Sequence, residues 1–212
     1  RRQRQMCIRD RFALVAGLIL GVAGALFRRG SQWAEKNKPA GNGILWMMPL
    51  AGTLTAVVAI WVPQVMGNGR ATAQLSFSSN ADLAVIPILL LSFAAKAIVT
   101  LLTIRSGASG GVLQPGIALG ASGGVVLGIL WMQIFHTNSI GMYALLGACA
   151  LLAASQQAPL MAICLVMELA DAPINLFVPI GFAVAVSAFT ASHLSGPLAK
   201  LRVAAPKASD VH

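Results

Sequence analysis

The chain has 212 residues, of which 57% are hydrophobic and 10% charged, with a mean hydropathy of +0.78 and a formal net charge of +9. About a quarter of the residues in a soluble domain carry charge, so this composition excludes an ordinary soluble protein and places most of the chain in lipid. The positive balance would suggest nucleic acid in a soluble setting, but these Lys and Arg residues sit at the ends of apolar segments, which excludes a nucleic-acid partner and reads as membrane topology.

The first eleven residues are strongly basic, carrying Arg1, Arg2, Arg4, Arg9 and Arg11. If the apolar run that follows spans a bilayer, they fall opposite the cluster Arg28, Arg29, Lys36 and Lys38, against the positive-inside rule. Residues 1–11 are therefore read as a foreign leader or artefact. A native basic tail and a secretory n-region remain as alternatives, the latter without a clear small-residue cleavage site. The expected membrane unit covers 12–205, and 206–212 form a short tail.

Apolar stretches predict helices over 12–27, 44–63, 83–104, 112–135, 140–154, 158–170 and 172–191. Several fall short of the ~20 residues that cross a bilayer, so the expected fold is an all-α membrane unit with tilted, partial and re-entrant helices. Arg105 follows the third stretch and Lys200, Arg202 and Lys207 follow the last, whereas the loop from His136 to Ile140 has no Lys or Arg. The basic groups go to the cytoplasm and that loop outside, with Arg70 a lone exception.

Between the third and fourth stretches lies Ser106-Gly107-Ala108-Ser109-Gly110-Gly111-Val112-Leu113-Gln114-Pro115. Glycines let successive N–H groups converge, and proline is tolerated in a helix's first turn, so the loop presents a positive helix N-terminus that suits an anion. Membrane-length apolar flanks make an ion pathway the expected setting, because broken helices build such pathways. Gly116, Gly120, Gly124 and Gly128 then recur every fourth residue on one helical face, which reads as close helix packing.

Other chemistry finds little support. Cys7 lies in the leader, and Cys149 and Cys164 read as small core residues. His136, His193 and His212 are scattered, so neither a metal nor another cofactor is expected. The phosphate-loop and Gly-x-Ser-x-Gly patterns are absent, and no enzyme activity is expected. Two ionisable residues fall within apolar segments, Lys96 and Glu168, and such groups mark function by default. Lys96 reads either as a snorkelling cation or as the lining of an anion entry. Glu168 with Asp171 reads mainly as a cap or ion pair, with proton transfer as the alternative. Tyr143, the chain's only tyrosine, is expected to be an interfacial anchor.

The run from Lys96 to Gly120 resembles the C-terminal repeat of the CLC chloride channels and chloride/proton antiporters, where Gly-x-Phe-x-Pro opens a helix. Here it stands as Gly111-Val112-Leu113-Gln114-Pro115, with Leu113 in place of Phe. Gly147 to Pro159, followed by Leu165-Val-Met-Glu168-Leu-Ala-Asp171, is similar to a second family segment. The resemblance implies chloride held by main-chain N–H groups at Gly111, Val112 and Leu113, with Gly110 and Pro115 shaping the turn. It also implies a homodimer through 159–191, in a lipid bilayer identified as the bacterial inner membrane. A family tyrosine falls on Ala199, just after Ser195-Gly196-Pro197 at the expected start of the last helix. The family's N-terminal loops and their glutamates are absent here, so the chain looks like only the second half of a subunit. Channel and antiporter stay open, as do fluoride or nitrate as the anion and a non-transporting structural subunit.

Overall fold

The computed structural model describes residues 2–39, 43–61, 86–107, 111–135 and 140–203. These form helices α1 (Arg2–Lys36), α2 (Gly43–Trp61), α3 (Ile86–Arg105), α4 (Leu113–Phe135), α5 (Ile140–Gln156), α6 (Pro159–Leu169) and α7 (Phe177–Val203), with a 3₁₀ turn at Ile174–Leu176. Among the described residues there is no strand, so the all-α membrane fold stands. Four helical stretches, Arg9–Lys36, Ile86–Arg105, Leu113–Phe135 and Ile174–Leu194, are long and apolar enough to cross a membrane. The helices α5 and α6 are shorter.

The direction of each helix follows from who meets whom. Along α1, Phe12 packs on Tyr143 and Gly24 lies against Leu151 and Ala154, so α1 and α5 run parallel. Gly17 meets Ala183 and Val186, and Gly21 meets Ser187 and Thr190, so α7 runs the same way. Gly30 faces Leu101 and Trp33 lies under Arg105, which aligns α3 with them. The helix α4 runs against these four: Gly116 faces Leu152 and Ser155 while Gly128 faces Tyr143. The C-terminal ends of α1, α3 and α5 therefore gather with the start of α4 at one end of the bundle. That end holds Arg28, Arg29 and Arg105, in keeping with their assignment to one side of the membrane.

Two antiparallel helices come this close only if neither carries bulk at the crossing. A Cβ on Gly120 would stand 2.5 Å from the carbonyl oxygen of Gly147 and 2.7 Å from Cα of Ala148, so α4 and α5 touch backbone to backbone. The four-residue glycine spacing thus has the packing role its pattern implies. Because the whole of α5 is enclosed, its residues from Leu146 to Ala154 are buried, whereas α2 and α3 expose Trp46, Leu50, Ile60, Ile88, Leu91 and Ile98. In lipid an exposed apolar face costs nothing, so burial here reports packing order rather than hydrophobic drive.

Several expectations need correction. The helix α1 extends well past 12–27 at both ends, since the flanking Arg, Gln, Glu and Lys are good helix formers even though they are polar. Tyr143 is 1% exposed, packed against Phe12 in the slot left by Gly124 and Gly128, and is a core residue instead of an interfacial anchor. Cys149 is buried as expected, but Cys164 is exposed on α6. The expected break near 195 is bridged by α7, which continues to Val203.

Candidate anion-binding loop

The helix α3 stops where glycine permits it. Ser106 N–H donates to the Leu102 carbonyl at 2.9 Å and Gly107 N–H to Ile104 at 3.2 Å, closing the last turn. Gly107 then adopts φ +95°, a left-handed conformation that suits glycine at a helix end. The Ser106 hydroxyl is buried and donates to the Thr103 carbonyl at 2.7 Å, so it serves the helix end and is not presented to a ligand. Residues 108–110 follow, and Gly110 lies outside the described residues.

The chain re-enters helix at Leu113. Gly116 N–H donates to the Val112 carbonyl at 3.1 Å, the first helical bond, which makes Val112 the residue that caps α4. Pro115 has no N–H to lose, and its fixed φ suits a first turn. Every helix start leaves its first N–H groups without intrahelical partners. Among the described residues no hydrogen bond uses the N–H of Gly111, Val112, Leu113 or Gln114. No acidic side chain occupies the first turn of α4. The result is a run of amides without partners among the described residues, with the helix dipole behind it. Gly111 is exposed, and a Cβ there would meet nothing within 4 Å, so the approach to these amides is open.

Val112 and Leu113 are half-buried and pack against the main core, which fixes the orientation of their amides. Behind them, Gly116 rests on Leu152 and Ser155 of α5. Gln114 is an additional donor that attention to motif side chains misses; its position before a helical proline was the available signal. The other candidates stand apart. Lys96 is half-buried on α3, two to three turns before Arg105, so about 14 Å of helix rise separates it from the loop end. Glu168 is exposed in the last turn of α6, a helix that leaves the loop end of α5, and the structure does not bring it to the amides. Asp171 lies beyond α6 with φ +46°, so the two acids do not share a helical face.

The H(+)/Cl(-) exchange transporter ClcA of Cronobacter sakazakii is 31% identical over 167 residues, covering 74% of this chain and 35% of the transporter. The chain thus spans about a third of that relative's length. The model of the voltage gated chloride channel family matches residues 11–192, a stretch that contains all the described loop residues and both helices that clamp them. A glycine-broken helix pair with free amides at the second start, inside a match of that extent, identifies the chain as a member of the voltage-gated chloride channel family.

Proposed function

We propose that the chain is the C-terminal repeat of a CLC-type subunit that moves chloride across a bacterial inner membrane, with the anion held by the N–H groups of Gly111, Val112 and Leu113. The observation that carries this reading is the start of α4, where four consecutive N–H groups have no partner among the described residues and Pro115 ends the series. A chloride ion needs several weak donors and no counter-charge that would trap it, and main-chain amides supply that. The reading is transport without enzyme chemistry. Leu113, shorter than the family's Phe, leaves room for a differently sized anion, so nitrate and fluoride belong in the same assay.

The reading assigns the homodimer contact to 159–191, where Leu160, Met161, Ile174, Phe177 and Val178 are exposed apolar residues. Efflux from liposomes tests the function. The chain joined behind the upstream part of the Cronobacter relative should release chloride, and the chain alone should not. Efflux from the joined protein that survives Gly111→Pro unchanged would remove the amide assignment, and absence of efflux from a folded joined protein would remove the transport reading.

A further inference from the structure

The basic end of the bundle carries more positive charge than its own acids neutralise. Arg28, Arg29, Lys36, Lys38 and Arg105 lie at the ends of α1 and α3, and Glu35, the acid described beside them, pairs with Lys38 at 3.4 Å. Arg29 directs one guanidinium nitrogen to the Leu194 carbonyl oxygen. Arg105 is differently placed. It is half-buried in the last turn of α3, its Nε is closed to solvent without a hydrogen-bond partner, and its guanidinium carbon lies 5.2 Å from the centroid of Trp33. Among the described residues the guanidinium makes no hydrogen bond or ion pair.

Trp33 is 56% exposed and continues the outward stripe of α1 through Leu18, Val22, Leu26 and Arg29. The stripe is apolar for most of its length and ends in a cation and an indole, the order in which a helix passes from acyl chains to headgroups. Stacking on an indole satisfies the face of a guanidinium and leaves the edge formed by its two Nη groups free, and that edge matches two oxygens of a phosphate. A lysine ammonium could not do both. We propose that Arg105, seated on Trp33 with Arg29 one turn back, binds the phosphate of an anionic phospholipid headgroup at the basic end of the bundle. The site lies on the outward stripe of α1, which favours a lipid over a free anion, and it does not depend on the transport reading. Basic clusters between membrane helices recognise anionic lipids by this chemistry.

Native mass spectrometry of the full chain, extracted from vesicles of equal phosphatidylglycerol and phosphatidylcholine, tests the site. The unmodified chain should retain phosphatidylglycerol in preference to phosphatidylcholine. Arg105→Gln should reduce that retention about tenfold, the loss of one charge-assisted pair. Trp33→Leu should reduce it a few-fold, and Arg105→Lys should fall between, because it keeps the charge and loses the fork. Lys36→Gln, which removes an exposed charge at the same end, should leave it unchanged. Equal losses in Lys36→Gln and Arg105→Gln would show diffuse charge attraction and overturn the site. Displacement of the lipid by excess inorganic phosphate would do the same by assigning the residues to a free anion. Should Arg105→Gln fail to fold, Arg105→Lys and Trp33→Leu decide, and unchanged lipid preference in both overturns the proposal.

Discussion

Gly120→Ala places one methyl group where α4 and α5 meet backbone to backbone. The added Cβ would lie 2.5 Å from the Gly147 carbonyl oxygen and 2.7 Å from Cα of Ala148, close to an ångström short of ordinary contact. Neither neighbour is a side-chain end that can rotate away, so the helices themselves must part. A radial gap of about 0.5–1 Å forfeits a quarter to a half of each dispersion contact along the crossing. Overpacking a well-packed interior costs about 1–3 kcal/mol, and a clash with main chain on both sides belongs at the upper end. The control is Gly181→Ala on α7, where a Cβ meets nothing within 4 Å and helix propensity improves by up to ~1 kcal/mol. Thermal unfolding in detergent, followed by circular dichroism, should show Gly120→Ala lowered by roughly 6–10 °C, at about 2–4 °C per kcal/mol for a chain of this size. Gly181→Ala should be unchanged or raised. Equal midpoints for the two variants would refute the claim that α4 and α5 are held by direct backbone contact.

Ser187 is buried and its hydroxyl donates to the Ala150 carbonyl oxygen at 2.5 Å, tying α7 to α5, so Ser187→Ala should cost about 0.6–1.7 kcal/mol in the same assay. Phe12 is fully buried against Tyr143 and Trp131, and Phe12→Ala should destabilise by an amount near the low end of ~3–5 kcal/mol, because lipid removes part of the transfer term but leaves the cavity. Chloride affinity by calorimetry on the joined protein should fall roughly ten- to a hundredfold in Gly111→Pro, which removes one donor to a charged acceptor, while Val112→Ile changes it little. Ile174, 79% exposed on the apolar face, should form a crosslink between subunits as Ile174→Cys if 159–191 is the dimer surface, and crosslinking confined to other positions would move that surface.

What the sequence reveals here is what repeats or punctuates. Glycines four apart name the face of α4 that touches α5, because a helix returns to the same side every fourth residue. Gly107 and Pro115 bracket the loop, since one ends a helix and the other is tolerated only at a start. Lengths are less legible. Apolar counting stops at Phe27 and near Ala191, but α1 continues through Arg, Glu and Lys that favour helix, and α7 continues to Val203 even through Ser195-Gly196-Pro197, against propensity. The place of Tyr143 depends on a partner helix: only when Gly124 and Gly128 of α4 lie opposite does a slot for its ring exist. Gln114 escapes notice because its contribution is an N–H that any residue but proline would bring. Lys96 and Glu168 stand out by being charged in apolar sequence, and both lie apart from the loop amides, Lys96 by about 14 Å of helix rise, so a pathway role for either would be exercised away from the loop.

A binding site built from main-chain amides has no side chain whose loss would abolish it, so its specificity must reside in position. Among the described residues no acidic side chain stands in the first turn of α4. Position must then come from packing behind it. The packing is direct, because Gly120 and Gly124 set α4 against the main chain of α5, while Gly116, nearer the loop, rests on the Leu152 and Ser155 side chains. Such contact transmits displacement without absorbing it, since close-packed interiors comply little. On the proposed assignment of the anion to these amides, the α4–α5 crossing takes part in the site, although Gly120 stands about 10 Å of helix rise from Leu113. It follows that a methyl group at Gly120 should disturb chloride binding as well as stability, whereas Val112→Ile, which also adds one carbon but places it beside the amides, should disturb neither greatly.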